Sequence, residues 1–485
     1  MSWSRILHFA MSSVSSVLVL SAGSGYDGLA AENVPEGNIE IRELTVHPAP
    51  EPVPALKYQL LPTLPDRTPG NAAVLYNRIL IQLPNAMNEE TSEKMAKWAG
   101  ADVPLEDLPL AELRRTLQPL HSVMGELAIA ARRESCQWDV PFREGQNPFA
   151  VLLPELQQQR QLARILVVNI RLAIREGRID DAIELLQTGF ALARDVGNGP
   201  TLIHGLVGTA ICGLLTGEIE ELALQTEGPN LYWALTAMPR PLIDLRRGLE
   251  TEMHVLDLWF PALRDIESTG NDPSFWEAKF EEIAWGFRYA TGGPEPEAGY
   301  RALLTLLALK GYPKAVDYMV SRGYSEEEVA AMHTARVLLI AAISTYREQR
   351  DASFKWLYLP YNEARGGLEE WENRFNRDGR DQEVLPLASM ILPAIGAAKL
   401  AAARHHRSLE IARLIEAIRL HAATHNGRLP RSLAEITDVP VPTDPVWGKP
   451  FELTTDGETV VIQSAPVPTQ GGERHGLRVE VRLAR

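Results

Sequence analysis

Cysteine is nearly missing: Cys136 and Cys212 are the only two in 485 residues. Two thiols cannot build the disulfide framework that staples small secreted domains, nor can they supply the four thiolates of a closed zinc site. Cys212 lies in an apolar run, Leu206 to Leu215, and reads as a small buried residue. Cys136 stands beside Gln137 and Trp138 in a polar stretch. A bridge needs the two backbones close together, so sequence alone leaves the pairing open. Positive charge is also short, with 48 Lys and Arg against 63 Asp and Glu and a formal net charge of −15. That balance gives little support to non-specific nucleic-acid binding, and no nucleic-acid partner is expected. Nucleotide motifs are lacking as well. Gly292-Gly293-Pro294 and the pair Gly366-Gly367 are loop glycines without the strand and helix of a phosphate loop. No catalytic residue, metal ligand or cofactor is assigned.

The chain, at 53.8 kDa, is too long for one ordinary core. Apolar residues at 45% and charged residues at 23% are ordinary for a folded protein. Residues 1–30 are expected to be a secretory signal peptide or an N-terminal anchor. A weakly basic start ends at Arg5, an apolar stretch runs from Ile6 to Leu20, and small residues follow. Cleavage after Gly23 or after Ala30 fits the pattern. Four serines and His8 interrupt the apolar stretch, which makes it a poor membrane span. No other stretch is expected to span. The implied setting is exported, periplasmic or envelope-associated.

Residues 31–71 read as a proline-rich extended linker. Prolines at 48, 50, 52 and 54 lack the amide hydrogens a helix needs, and residues 39–46 form a candidate strand before them. Residues 72–385 read as a helical body. Leu162, Leu166, Ile170 and Ala173 make one helical stripe, and Ala182, Leu186, Phe190 and Ala193 make the next. Gly177-Arg178 connects them, and Gly197 with Pro200 ends the second. Residues 155–196 thus resemble a tetratricopeptide-type hairpin, though no clean 34-residue recurrence appears elsewhere. Further helices are expected at 200–224, 241–264, 273–290, 298–309, 312–322 and 325–349, the last opened by a capping box at Ser325 and Glu328. Trp233, Trp259, Trp276, Trp285 and Trp356 read as fillers between helices, with an aromatic groove as the alternative.

The C-terminal residues 386–485 carry the sharpest pattern. One long helix is expected over 387–425, kinked at Pro393 and closed by Asn426-Gly427. A second capping box is expected at Ser432 and Glu435. Asp456-Gly457 between two β-rich runs predicts a hairpin. Leu477, Val479, Val481 and Leu483 alternate with charged residues as a third strand. This order, with Asp444-Pro445 and Gly448-Lys449-Pro450-Phe451, resembles the soluble module of type II secretion major pseudopilins. Unlike theirs, the helix here is internal and lacks a leader-cleavage site. Cys136 to Pro141, Leu172 to Arg178 and Pro200 to Ile203 resemble the helical body of a family of large bacterial proteins, chiefly planctomycete, with no chemistry attached.

The expected fold is therefore mainly α: an irregular stack of helical hairpins with a small C-terminal α+β module, a long helix plus a three-stranded antiparallel sheet. Among candidate chemistry, His421 and His425 sit four apart on a helix, the spacing of two metal ligands. The zinc-protease motif needs glutamate after the first histidine, and Ala422 stands there. They read as helix-end histidines, with His405 and His406 too far along the rod to join them. Seven basic residues (Lys399, Arg404, Arg407, Arg413, Arg419, Arg428, Arg431) face only Glu410 and Glu416, which reads as a solvated face or a docking patch. Glu250 with Glu252, and Glu277 with Glu281 and Glu282, read as charged helix faces. The expected function is a non-enzymatic envelope scaffold or interaction protein with a protein or peptide partner. The alternatives are an exported hydrolase or carbohydrate-active enzyme with a cleft in the helical body, and a component of a secretion or pilus-like assembly.

Overall fold

The computed structural model describes residues 39–140, 154–267, 270, 272–291, 297–469 and 472–484. The expected signal segment, the first part of the linker and Gly292-Gly293-Pro294 lie outside these. The chain is mainly helical, with an irregular arrangement of helices and a small C-terminal mixed sheet. The described residues fall into two compact units. Residues 39–139, 154–248 and 400–484 form the larger, and Val140 with 249–399 the smaller.

Three helices, Pro154–Arg175, Ile179–Gly197 and Leu202–Ala223, pack against one another in the larger unit. The first turn between them needs Gly177, whose φ of 73° is left-handed. There Arg178 N–H reaches back to Ala173 O at 2.9 Å and ties off the helix end. Asn71 caps Ala72–Ala86 and Thr201 caps Leu202–Ala223, each side chain accepting a first-turn N–H. Leu202–Ala223 is long and apolar enough to cross a bilayer, contrary to the expectation that nothing beyond the N-terminus would qualify. Its most apolar window is 72% buried inside the protein, so the run is satisfied as a core helix.

The C-terminal sheet has the three antiparallel strands read from sequence, Glu452–Thr455, Thr459–Ser464 and Gly476–Leu483. A fourth comes from the other end of the chain. Ile39–Val46 lies parallel to Gly476–Leu483, with Ile39 opposite Gly476 and Val46 opposite Leu483. At the hairpin Gly457 has φ 97°, and Asp456 Oδ1 accepts from the N–H groups of Glu458 and Thr459. The inner face of the sheet (Val460, Ile462, Leu477, Val479 and Val481) covers Ile411, Leu414, Ile415 and Ile418 of the helix Pro393–Thr424. Val46, Ala223 and Tyr232 belong to the same core, so the module shares its interior with the helices before it.

Several local expectations change. Pro393 opens a helix rather than kinking one: Leu387–Ile391 ends first, and proline takes the N-terminal position where its missing N–H costs nothing. The Ser325 capping box forms, but its helix stops at Ala331 and another runs Thr334–Phe354. Residues 297–321 form one helix that contains Pro313, and 241–264 breaks into Arg246–Met253, Val255–Trp259 and a short turn. At Ser432 no capping box forms. Glu435 reaches past the serine to accept from Arg431 N–H at 2.7 Å, and only a three-residue turn follows.

Candidate functional site

Titratable side chains come together in several places among the described residues, three of which bear on chemistry. The first surrounds Cys136 in the larger unit. Short parallel strands Thr68–Asn71 and Arg133–Ser135 carry the chain to it, and Asn71 fixes the next residues by donating to Gln137 O and accepting from Gln137 N–H. Trp138 Nε1 donates to Asp195 O at 2.7 Å, and its ring stacks on Tyr76 at 5.8 Å. Tyr76 OH donates to Asp195 Oδ2 at 3.0 Å, and Arg194 holds Oδ1 through two N–H groups. His204 completes the ring of groups. Its backbone N–H is accepted by Thr201 Oγ1, and that hydroxyl lies 2.7 Å from His204 Nδ1.

The electrostatics of this cluster oppose nucleophilic chemistry. Burial, with Asp195 next in effect, pushes the Cys136 thiol far up, against the pull of Arg194 and the Ala73 N–H. Burial also raises Asp195 and Tyr76, and it lowers His204 to about 4, with Arg247 adding to the effect. A neutral imidazole carries one proton, and its tautomer sets whether Nδ1 or the Thr201 hydroxyl donates across their 2.7 Å contact. The thiol stays protonated and unreactive. Both cysteines are free, which settles the pairing left open by sequence. Cys212 is buried and burial raises it to about 12. The cluster works as a clamp that gathers three helices, through Tyr76, Asp195 and His204, around the connection after Arg133–Ser135.

The second place is a cleft of about 590 Å³ in the smaller unit. Glu267, Tyr318, Arg322, Ser344, Arg347 and Glu348 are among its walls. Tyr318 OH donates to Glu348 Oε1 at 2.7 Å, and Arg322 pairs with the same carboxylate. Ser344 Oγ donates to Glu267 at 3.4 Å. Arg347 turns to Asp257 at 2.6 Å and to Leu263 O. The acid groups considered from sequence lie elsewhere. Glu250, Glu277 and Glu281 are exposed, Glu277 lies 3.2 Å from His333, and Glu282 pairs with Lys279. Trp276 is fully buried, as a filler should be. The side chains of Trp259 and Trp285 lie outside the described ones.

The third place is the helix Pro393–Thr424 itself. Its basic residues do not form a solvated face. Arg407, Arg413 and Arg419 are buried, and each is used inside the protein. Arg407 donates to Ser464 Oγ and His475 O, and Ser464 bonds in turn to buried Asp444. Arg413 pairs with Glu410 at 2.6 Å. Arg419 pairs with Glu416 and donates to His47 O, Pro229 O and Gly228 O. Lys399 donates to Leu357 O and Leu359 O, while Arg428 and Arg431 are exposed. His405 packs its ring over Gly213, and burial lowers it to about 4.

At the far end of that helix the rings of His421 and His425 stack, with centroids 3.9 Å apart and planes 15° from parallel. Asp438 joins them from the segment after the Leu433–Glu435 turn, with Oδ2 3.6 Å from His421 Nδ1. Asn426 and Gly427, both at positive φ, turn the chain back to make this approach. Burial, then the neighbouring His425, lowers His421, and Asp438 opposes them. Sequence gave the two histidines but not the aspartate, which stands thirteen residues beyond His425. The turn formers at Asn426-Gly427 were the only hint. No family model, curated protein or solved structure matches this chain.

Proposed function

We propose that the protein is a non-enzymatic scaffold of the bacterial envelope that binds a protein or peptide through its helical body. The observation that carries this reading is an apolar face on paired helices. Val74 and Ile81 are exposed one heptad apart on Ala72–Ala86, at 65% and 76%. Ile129 is exposed on His121–Ala131, the helix that packs beside it. Arg78 and Glu126 bridge the two helices at 3.1 Å. Val74 and Ile81 lie within a turn of Arg78, and Ile129 within a turn of Glu126, so the three share one surface. Single exposed aliphatics are ordinary, but a cluster on paired helices suits the apolar face of a partner helix. The envelope setting rests on the N-terminal sequence pattern.

The test is a photo-crosslinking residue at Val74 or Ile81 in cells, with the exposed Glu93 as control. A discrete adduct in the envelope fraction at both apolar positions, absent at Glu93 and abolished by Ile129→Glu, is the expected result. Adducts equal to the control would remove the reading.

The hydrolase alternative is favoured by one observation, the cleft with Glu267 and Glu348 on its walls. Turnover of a peptide or glycan by the purified protein, lost in Glu348→Gln, would replace the scaffold reading. Assembly into a pilus-like fibre ranks lower, because residues 409–422 of the long helix are already covered by the protein's own core.

A further inference from the structure

We infer that His421, His425 and Asp438 form a binding site for one divalent transition-metal ion of the zinc class. Each offers one donor atom, and the three donors lie within 4.8 Å of one another. The site is independent of the scaffold reading and lies elsewhere in the larger unit.

Two features of the geometry point to a ligand. His421 is only 4% exposed, and its Nδ1 has no hydrogen-bond partner among the described residues. That nitrogen faces Asp438 Oδ2 at 3.6 Å, too far for a hydrogen bond and with room for an ion to draw both inward. A buried polar atom left unsatisfied is costly, and a metal would satisfy it. The second feature is how the other two residues are held. His425 Nδ1 lies 2.9 Å from His421 O. A carbonyl only accepts, so Nδ1 carries the proton and the Nε2 lone pair is left bare. Asp438 Oδ1 lies 3.0 Å from Thr424 Oγ1, which leaves Oδ2 for a ligand. Metal-binding histidines and carboxylates are commonly oriented by such outer contacts.

The donor set selects the ion. Two imidazoles and one carboxylate suit zinc or its neighbours, while calcium and magnesium prefer oxygen alone. Tetrahedral zinc with bonds near 2 Å places its donors about 3.3 Å apart and lies in the plane of each imidazole, so the donors must draw in by about an ångström and the His425 ring must swing out of its stack on His421. His425 and Asp438 are exposed and can make that movement, and water can take the fourth position. Ala422 stands where the helical zinc proteases carry their general base, so the site binds an ion without that hydrolytic machinery.

The test titrates Co²⁺, then competing Zn²⁺, into purified full-length protein stripped with a chelator. The expected result is one equivalent of Co²⁺ with the visible absorption of a four-coordinate site, displaced by one Zn²⁺. His425→Ala and Asp438→Asn should each weaken binding at least ~10-fold. Both are exposed, so circular dichroism should report an unchanged fold. Absence of a one-to-one cobalt spectrum, or wild-type affinity in His425→Ala, would overturn the site and leave a stacked histidine pair beside an aspartate.

Discussion

Replacing Arg419 with methionine should be among the most destabilising single changes in the larger unit. The guanidinium is 0% exposed, and Glu416 beside it is 1% exposed. It donates at 2.8 Å to His47 O, at 2.6 Å to Gly228 O and at 3.2 Å to Pro229 O, and it grips both oxygens of Glu416. Glu416 also accepts from Leu231 N–H, and Asn230 donates to Ala49 O and Glu416 O. One side chain thus ties the strand Ile39–Val46, the 228–231 connection and the long helix together. Methionine fills similar volume but leaves a buried carboxylate uncompensated. Breaking a buried pair on one side costs about 3–5 kcal/mol, and each orphaned carbonyl adds about 1 kcal/mol or more unless water enters. The expected loss is about 6 kcal/mol before water relieves the three carbonyls, a large share of an ordinary ~5–15 kcal/mol stability. Arg419→Met/Glu416→Leu should recover about half, because it removes the stranded charge but not the stranded carbonyls. Hydrogen exchange is the natural assay, since it reads this region separately from the smaller unit. The Ala49 amide donates to Arg419 O and the Leu231 amide to Glu416, so both should lose protection together. A denaturant midpoint within about 1 kcal/mol of wild type, with Ala49 still protected, would refute the assignment of Arg419 as the tie.

Glu218→Gln should change the pH dependence of stability. Burial raises the Glu218 carboxyl from 4.5 to about 8, against the pull of Arg171. Between those values the unfolded chain releases the proton and the folded one keeps it, so stability falls as pH climbs from about 4.5 to 8. Glutamine removes that fall and should gain a few kcal/mol relative to wild type at pH 8, with little difference near pH 4. Urea midpoints that run parallel across that range would sink the idea. Gly208→Ala should cost about 2–3 kcal/mol, because its Cβ would sit 2.4 Å from the Gly197 Cα, which is backbone and cannot step aside. Gly217→Ala on the same helix meets nothing within 4 Å among the described residues and should gain about 1 kcal/mol from propensity alone. Thermal melts of the two variants must move in opposite directions.

What sequence revealed here follows the range of its signals. The helices at 154–175 and 179–197 announce themselves through apolar residues three and four apart, and the 452–464 hairpin through Asp456-Gly457. These depend on neighbours within a dozen residues. The pairing of Ile39–Val46 with Gly476–Leu483 joins strands more than 430 residues apart, and parallel pairing leaves no turn to read. From sequence Arg419 reads as part of a solvated face or a docking patch, and arginine is seldom fully buried. A finer signal was present: Glu410, Arg413, Glu416 and Arg419 alternate in sign at three-residue spacing, which pairs them along the helix. That spacing describes internal compensation rather than a basic face. The Cys136 cluster was invisible for a different reason. Tyr76, Asp195 and His204 come from three helices, and nothing local marks them as neighbours.

The arrangement along the chain carries a consequence for how the larger unit closes. Residues 249–399 of the smaller unit stand in sequence between two parts of the larger one. The long helix and the sheet therefore reach their core only after that stretch has been made. Val46 and Ala223 precede it, whereas Ile415, Val460 and Val479 follow it, yet all belong to one cluster. Closing such contacts costs loop entropy before burial repays it. Until Ile39–Val46 arrives, Gly476–Leu483 is an edge strand with Leu477, Val479 and Val481 on one face. The first strand then takes the edge position itself. Glu40, Arg42 and Glu43 place charge along it, with Arg42 held to Glu220 and Glu43 to Arg482. Charge on an edge discourages pairing with another chain, so the strand contributed from the start of the described chain extends the sheet and guards this edge, while Glu452–Thr455 forms the opposite one.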